Sequence, residues 1–207
     1  FEGLYPDVIH LSLGRVEAAL EALGRPQDRL PPVIHVAGTN GKGSTCAFMR
    51  AMAEAAGLKV HVFTSPHLVR FNERIRLAGE IVDDERLIGW LDRTYEALQG
   101  MQITHFEATT ACALLAFSEV PADLLILEVG LGGRYDATNV IEHPALCVIA
   151  PVDFDHKAFL GSDLRKIAGE KAGIIRPGHP VLSAIQRKVC DEVITAEAEK
   201  QGAPLYR

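Results

Sequence analysis

The sequence predicts an α/β fold in which a mostly parallel sheet is covered by helices on both faces. Short apolar runs rich in Val, Ile and Leu recur along the chain, and segments with helical spacing lie between them. Near-continuous apolar strands are typical of parallel sheets buried on both faces, and alternation of strands with helices favours the same architecture. A glycine-rich turn also joins the first strand directly to a helix. These features together predict one α/β domain.

The apolar runs define five predicted strands. They are Val33 to Ala37, Lys59 to Phe63, Asp123 to Val129, Ala145 to Val152, and Pro180 to Ala184. Three irregular segments follow the ends of predicted strands: Thr64 to Ile81, Gly130 to Val140 and Asp153 to Ser162. Ligand loops of open parallel sheets lie at the carboxyl ends of the strands. We therefore expect binding residues in these segments.

Spacing and capping signals predict three helices. Lys42 to Ala56 places apolar residues at helical intervals. Thr104 begins a capping-box pattern before an apolar stretch, so a helix is expected to start there. A further helix is expected to begin at Ser162 or Asp163 and to close at Gly173.

Composition favours one domain that acts on small molecules. The chain has 207 residues, of which 48% are hydrophobic, and this is enough for one core but short for two. The net charge of −6 and the absence of a basic stripe disfavour a nucleic-acid partner. Four scattered cysteines form no CxxC pair, so they indicate neither a zinc site nor a disulfide framework. With no membrane-spanning run or signal pattern, we expect a cytoplasmic monomer that contacts no membrane.

The glycine-rich turn has the features of a phosphate-binding loop. Its residues are Gly38, Thr39, Asn40, Gly41, Lys42, Gly43, Ser44 and Thr45. Glycines let backbone N–H groups approach an anion, the following helix offers its positive end, and the lysine adds a full charge. The loop is a variant of GxxxxGK[ST], because a glycine stands where the hydroxyl residue is expected. A plain connecting turn is the alternative, although a lysine would serve it poorly. A P-loop NTPase-like ATP site is therefore predicted.

Oxygen ligands for Mg²⁺ are expected at neighbouring strand ends. Glu128 ends an apolar strand and is the first candidate, with a salt-bridged edge carboxylate as the alternative. Ser65 follows another strand and offers a hydroxyl oxygen. His156 also follows a strand, but imidazole suits softer metals, so the residue pattern alone favours a structural histidine. Lys171 looks like an ordinary lysine at a helix end.

Two loops are candidates for substrate contacts. The segment from Gly130 to Asn139 is glycine-dense and then polar, so it can approach a ligand closely. Within it, Asp136 offers hydrogen bonds and Arg134 is available to a carboxylate. The segment from Ser65 to Arg74 mixes aromatic, basic and amide side chains and is a candidate substrate flap.

As an ordered set, these motifs resemble the folylpolyglutamate synthase and dihydrofolate synthase family of the Mur ligase superfamily. The matching segments are His35 to Ser44, Thr64 to Leu68 with Phe71 to Arg74, Glu128 to Asn139, Asp155 with His156, and Glu170 to Ile174. The resemblance implies the fold of a Mur ligase central domain, with residues 1–207 as the ATP-binding domain. We expect the family's carboxyl-terminal domain to be absent from this chain.

The resemblance also assigns roles that the residues alone do not. It implies that Ser65 and Glu128 hold one Mg²⁺ ion near ATP and that His156 helps to hold a second. It further implies that Lys171 is carbamylated, so that Lys42, His156 and Lys171 serve catalysis. In addition, the resemblance implies that the wall of the pterin pocket is formed by Phe106, Asp136 and Ala137.

The activity implied is ATP-dependent ligation of L-glutamate to dihydropteroate or folates through an acyl phosphate. One alternative is another Mur-type amino-acid ligase. The run from Asp136 to Asn139 and the glycine after Lys42 count against it. A second alternative is a nucleotide-binding switch without ligase activity, which the lack of an evident guanine-binding motif disfavours.

Overall fold

The computed structural model describes residues 12–154 and 163–207. In these ranges the strands form one eight-stranded sheet. They are β1 (Val33–Ala37), β2 (Val60–Phe63), β3 (Ile75–Leu77), β4 (Glu80–Ile81), β5 (Leu124–Glu128), β6 (Leu146–Ile149), β7 (Val181–Ser183) and β8 (Leu205–Tyr206). The helices are α1 (Gly14–Ala22), α2 (Lys42–Ala55), α3 (Asp84–Ala97), α4 (His105–Glu119), α5 (Leu164–Ala172) and α6 (Lys188–Lys200), with short 3₁₀ helices at Pro26–Arg29 and Phe71–Arg74.

The strand order is β4-β3-β2-β5-β1-β6-β7-β8. Strands β2, β5, β1, β6, β7 and β8 run parallel, and β3 and β4 extend the sheet antiparallel at one edge. The five predicted strands are confirmed, each within two or three residues of its expected ends. Because their carboxyl ends share one edge, the loops after β1, β2, β5 and β6 converge there.

Helices cover both faces of the sheet, as predicted. On one face, alternate strand residues such as Leu125 and Leu127 pack with α1, α3 and α4, while Ile149 and Val181 pack with α5 and α6. The strand residues between them, such as Ile126, point to the other face and pack under α2. The period-two alternation of β-strand side chains therefore divides the core into two layers.

The predicted helix caps are present. Thr104 and Glu107 form a capping box at α4, with each side chain accepting the other residue's backbone N–H. Asp163, rather than Ser162, caps α5 and accepts a hydrogen bond from the N–H of Arg165. The helix from Thr104 is buried along most of its length because α1 and α3 pack on its outer side.

The segment from Thr64 to Ile81 is more ordered than its sequence predicted. It contains a 3₁₀ helix and the β3–β4 hairpin, which pairs antiparallel with β2. Ile75 and Leu77 alternate with Arg76 and are buried against the core, so hydrophobic burial orders this part of the segment. Within the ranges described above, no helix is both long and apolar enough to span a bilayer.

Candidate functional site

The turn between β1 and α2 is shaped by two glycines. Gly41 precedes the first helical residue with φ of 78°, a conformation that favours glycine. Gly38 has φ of 149°, and a Cβ atom there would lie 2.7 Å from the Cβ atom of Ala150. The turn therefore packs directly against the end of β6, which fixes its position relative to the neighbouring strand.

The backbone N–H groups of the turn fall into two sets. Those of Thr39 and Asn40 donate to the carbonyl oxygen of Pro151, at 3.0 and 3.1 Å, and so hold the turn in place. Those at the start of α2 belong to the first helical turn, and no side chain among residues 12–154 and 163–207 caps this helix. The anion-binding capacity of the loop is thus concentrated at Lys42, Gly43 and Ser44.

Two lysine side chains converge on one carbonyl group of this turn. The Nζ atom of Lys42 lies 3.2 Å from the carbonyl oxygen of Gly38, and that of Lys171 lies 2.9 Å from the same oxygen. Lys171 is 2% exposed, although its sequence context suggested a surface lysine at the end of a helix. The structure therefore places Lys171 beside the loop.

Glu128 lies across the turn from the start of α2. Glu128 pairs with Val36 of β1, and its side chain is buried. The Oε2 atom of Glu128 accepts a 3.1 Å hydrogen bond from the N–H of Ser65. The Oε1 atom lies 3.8 Å from the position of a Cβ atom at Gly43. Burial raises the pKa of the Glu128 carboxyl, and the Ser65 N–H and the charge of Lys42 partly offset this increase. The carboxylate therefore faces the phosphate-binding turn.

The oxygen chemistry of Glu128 and Ser65 fits a hard divalent cation. The described parts of the chain contain no group of three or more His, Cys, Asp or Glu side chains suited to a metal ion. A cation between Glu128 and Ser65 would then take its other oxygens from phosphate groups and water, as Mg²⁺ commonly does. His156, the expected ligand of a second ion, lies outside the described residues.

The carboxylate of Asp136 organises the loop after β5. It accepts hydrogen bonds from the N–H groups of Leu131 and Thr138 at 2.8 and 3.0 Å, and from the Thr138 hydroxyl at 2.5 Å. His35 of β1 contacts the same hydroxyl at 2.9 Å. Burial raises the pKa of Asp136. The structure places both Asp136 and Ala137 within the packed interior of this loop.

Phe106 packs against the start of that loop, and Arg134 within the loop bonds to α5. A Cβ atom at Gly130 would lie 2.4 Å from the Phe106 ring, so the ring rests directly on the backbone two residues beyond Glu128. Arg134 is tied to α5, because its N–H donates to the carbonyl oxygen of Glu170 at 2.8 Å and its Nη2 to that of Gly169 at 3.3 Å. Of the expected substrate residues, Phe106 thus contacts the backbone that directly follows the proposed metal ligand.

The chain is similar to known proteins in sequence and in fold. No protein-family model matches the chain. The dihydrofolate synthase/folylpolyglutamate synthase of Bacillus subtilis (strain 168) is 46% identical over 199 residues, which cover 93% of this chain and 46% of the relative. A solved FPGS–AMPPCP–folate complex has a TM-score of 0.93 and 36% identity, over 98% of this chain and 51% of that one. E. coli FolC in complex with DHPP and ADP has a TM-score of 0.91 and 38% identity, over 99% and 48%.

The chain belongs to the dihydrofolate synthase/folylpolyglutamate synthase family. It spans about half the length of the B. subtilis relative and of these two solved chains. The fold of this family member is therefore the fold of the solved family structures.

Sequence reasoning missed one network in this family member. Arg176 donates to the backbone oxygens of Asn139 and Ile141, and its charge also acts on the buried imidazole of His35. Burial lowers the pKa of His35 to about 3, with a smaller contribution from Arg176. A histidine within an apolar strand was the only sequence signal for this network. The contacts of His35 and Arg176 fix the position of the last residues of the loop from Gly130 to Asn139.

A cavity of about 840 Å³ lies at the opposite, amino-terminal edge of the sheet. Leu20, Val33, Ile141 and Arg176 are among the residues that line it. It lies away from the carboxyl ends of the strands, where the phosphate-binding turn and Glu128 are. The candidate site of this family member is therefore an open edge of the sheet and does not coincide with that cavity.

Proposed function

We propose that this chain is the ATP-binding part of a ligase that joins L-glutamate to dihydropteroate or to folates. Its relatives carry the names dihydrofolate synthase and folylpolyglutamate synthase. Solved members of the family hold AMPPCP with folate, or ADP with DHPP. The cytoplasm is the expected compartment and a monomer the expected state, and the four buried thiols are compatible with a reducing environment.

A single observation carries the proposal. The buried carboxylate of Glu128 faces the first turn of α2, and its other oxygen is held by the N–H of Ser65. Burial makes the ionised carboxylate of Glu128 costly, and the charge of Lys42 only partly offsets this cost, so a cationic ligand would complete the site. Bound Mg²⁺ would neutralise triphosphate charge and share Glu128 and Ser65 as ligands.

Lys42 and the start of α2 would hold the phosphates. The Nζ atom of Lys42 can leave the carbonyl oxygen of Gly38 and donate to β- and γ-phosphate oxygens, since its four-carbon side chain is flexible. The first-turn N–H groups of Lys42, Gly43 and Ser44 would add hydrogen bonds and the helix dipole. Both would stabilise the charge that spreads over the transferring phosphoryl group.

Lys171 would act as a carbamate. A carbamate keeps one N–H on the former amine, so the 2.9 Å hydrogen bond to Gly38 can persist after the modification. The added group replaces a buried positive charge with anionic oxygens close to the phosphate-binding turn. These oxygens and His156 would together hold a second Mg²⁺ ion.

The chemistry then needs two displacement steps. A carboxylate oxygen of the pteroate or folate attacks the γ-phosphorus of ATP, the bond to the β-phosphate oxygen breaks, and an acyl phosphate and ADP result. The amino group of glutamate attacks the acyl carbon, inorganic phosphate leaves, and the amine loses a proton as the amide forms. Phe106, Asp136 and Ala137 would position the pterin end of the substrate through the loop after β5, and Arg134 would be available to a substrate carboxylate.

A hybrid enzyme tests this proposal. This chain replaces the matching 199 residues of the B. subtilis relative, and the hybrid is incubated with ATP, Mg²⁺, dihydropteroate and glutamate. We expect a product one glutamate heavier, detected by mass spectrometry. The Lys42→Ala hybrid should form none, because loss of a charged hydrogen bond costs about 1.5–3 kcal/mol in nucleotide binding and the phosphoryl group loses its cation.

The control separates the site from the fold. The Lys59→Ala hybrid removes an exposed lysine at the opposite end of a strand and should keep its activity. Circular dichroism confirms that all three hybrids are folded. A folded hybrid that binds ATP but forms no glutamylated product, or an active Lys42→Ala hybrid, would contradict the proposal.

A further inference from the structure

Two histidines face each other at the amino-terminal edge of the sheet. The Nδ1 atom of His143 lies 3.3 Å from the Nε2 atom of His179, with ring centroids 5.5 Å apart and ring planes inclined by 46°. The pair is accessible, since His143 is exposed and His179 is half-buried. Neither residue takes part in the candidate nucleotide site, which lies at the other edge.

The backbone holds these two histidines in place. Each is followed by a proline that leads into a strand, Pro144 before β6 and Pro180 before β7. A residue that precedes proline is restricted to extended conformations, so both backbones are preorganised. The N–H of Cys147 donates a 2.9 Å hydrogen bond to the carbonyl oxygen of Pro180, which fixes the register of the two strands beside the pair.

The separation of the two nitrogens matches a shared metal ion. Zinc binds imidazole nitrogen at about 2.0–2.1 Å with tetrahedral geometry, and two such ligands then lie about 3.3–3.4 Å apart. The observed 3.3 Å is this value. We propose that His143 and His179 form a binding site for a divalent transition metal ion, with zinc as the preferred ion.

This site is open on one side. Across the described ranges, no third His, Cys, Asp or Glu side chain joins a metal-binding group with the pair. Water or a small anion would complete the tetrahedron, so the affinity is that of a two-imidazole site. The nearby Arg176 guanidinium donates to Asn139 and Ile141, which directs its charge toward backbone oxygens. Imidazole pairs favour zinc over magnesium, which distinguishes this site from the one at Glu128.

Zinc titration of the purified protein tests the assignment. After removal of metals with a chelator, isothermal titration calorimetry with zinc chloride near neutral pH should show binding to one site per chain. His143→Ala and His179→Ala should each weaken this binding at least tenfold. Zinc should also raise the melting temperature of the wild-type protein and not that of either variant.

Two control variants make the result specific. His67→Ala removes another partly accessible imidazole, one that accepts a hydrogen bond from Arg74, and should leave zinc binding unchanged. Glu128→Gln changes the proposed magnesium site and should also leave it unchanged. The inference is overturned if the wild-type protein does not bind zinc, or if folded His143→Ala and His179→Ala bind zinc with wild-type affinity.

Discussion

The N–H of Ser65 donates a 3.1 Å hydrogen bond to the Oε2 atom of Glu128, and so joins the loops that follow β2 and β5. These strands are neighbours and run parallel, with Phe63 opposite Leu127. The hydrogen bond therefore aligns a hydroxyl-bearing residue and a carboxylate at the same height on the sheet edge. This alignment leaves the second oxygen of Glu128 facing the start of α2.

Replacing Glu128 by Gln should increase the stability of the fold and weaken the binding of nucleotide. Burial raises the pKa of Glu128 above its unfolded value, so its contribution to stability is largest at low pH and is lost as pH rises through the folded pKa. At neutral pH, Glu128→Gln removes a buried charge and should raise the free energy of unfolding by about 0.5–2 kcal/mol. Mg²⁺-dependent binding of AMPPCP should weaken at least tenfold. Urea denaturation without Mg²⁺ and calorimetry measure the two effects.

Glu119 provides a control, because its replacement by Gln should change stability in the opposite direction. Its carboxylate bonds to Arg93 and Trp90, and the Arg93 hydrogen bond lowers its pKa despite partial burial. Glu119→Gln should therefore lower stability at neutral pH and leave nucleotide binding intact. If Glu128→Gln bound AMPPCP with unchanged affinity in the presence of Mg²⁺, the carboxylate would not be a metal ligand.

The proposed carbamate on Lys171 predicts a dependence on CO₂. In ¹³C-bicarbonate, the wild-type protein should show a carbamate carbon signal by NMR that Lys171→Ala lacks. The hybrid enzyme with Lys171→Ala should lose at least about 100-fold in turnover, the usual scale for loss of a transition-state contact. A short carboxylic acid such as acetate should restore part of that turnover, because it can supply oxygens at the vacated position.

Lys166, in the same helix, is the matched control for this lysine. It is exposed, and Lys166→Ala should keep both the carbamate signal and the turnover. If Lys171→Ala were folded and as active as the wild-type hybrid, the carbamate would have no role. A missing carbamate signal with normal activity would mean that the unmodified ammonium is the working form.

Local sequence patterns were sufficient to predict the frame of the site. Apolar runs located the strands that end beside the turn, and the glycines and Lys42 located the turn itself. Glu128 was identified because a carboxylate that follows four apolar residues is difficult to place on a solvated surface. The strands, the turn and the buried position of Glu128 are present as predicted, because each of these features depends on residues that are close in sequence.

The remaining contacts depend on residues far apart in the chain. Lys171 and Gly38 are separated by 133 positions, and His35 and Thr138 by 103. These pairs meet only in the folded protein, where β1 pairs with β5 and β6 and α5 packs against the sheet. Periodicity contains no signal for such a meeting, so Lys171 resembled any lysine at the end of a helix. The resemblance to a known family suggested the role proposed for Lys171, and the fold showed its location beside Gly38.

The lowered pKa of His35 predicts how the stability of the fold depends on pH. Its folded pKa of about 3 lies below the unfolded value of about 6.5. The unfolded state therefore binds the proton first, and stability that is complete above about pH 6.5 is lost as pH falls, by up to ~1.4 kcal/mol per pH unit. His35→Gln should make this loss shallower between about pH 5 and 6.5, above the range where most carboxylates titrate. Urea denaturation across that range measures it, and an unchanged slope would contradict the buried neutral imidazole.

The fold should require glycine at position 38 but not at position 169. Its φ is 149°, and a Cβ atom added there would lie only 2.7 Å from Ala150, so Gly38→Ala should destabilise the protein by about 1–3 kcal/mol. Gly169 in α5 has nothing within 4 Å of the corresponding position, so Gly169→Ala should stabilise by about 0.5–1 kcal/mol. Thermal unfolding should shift by roughly 2–4 °C per kcal/mol, in opposite directions. Equal shifts in the two variants would contradict both the close packing of the turn on the end of β6 and the unfavourable φ of Gly38.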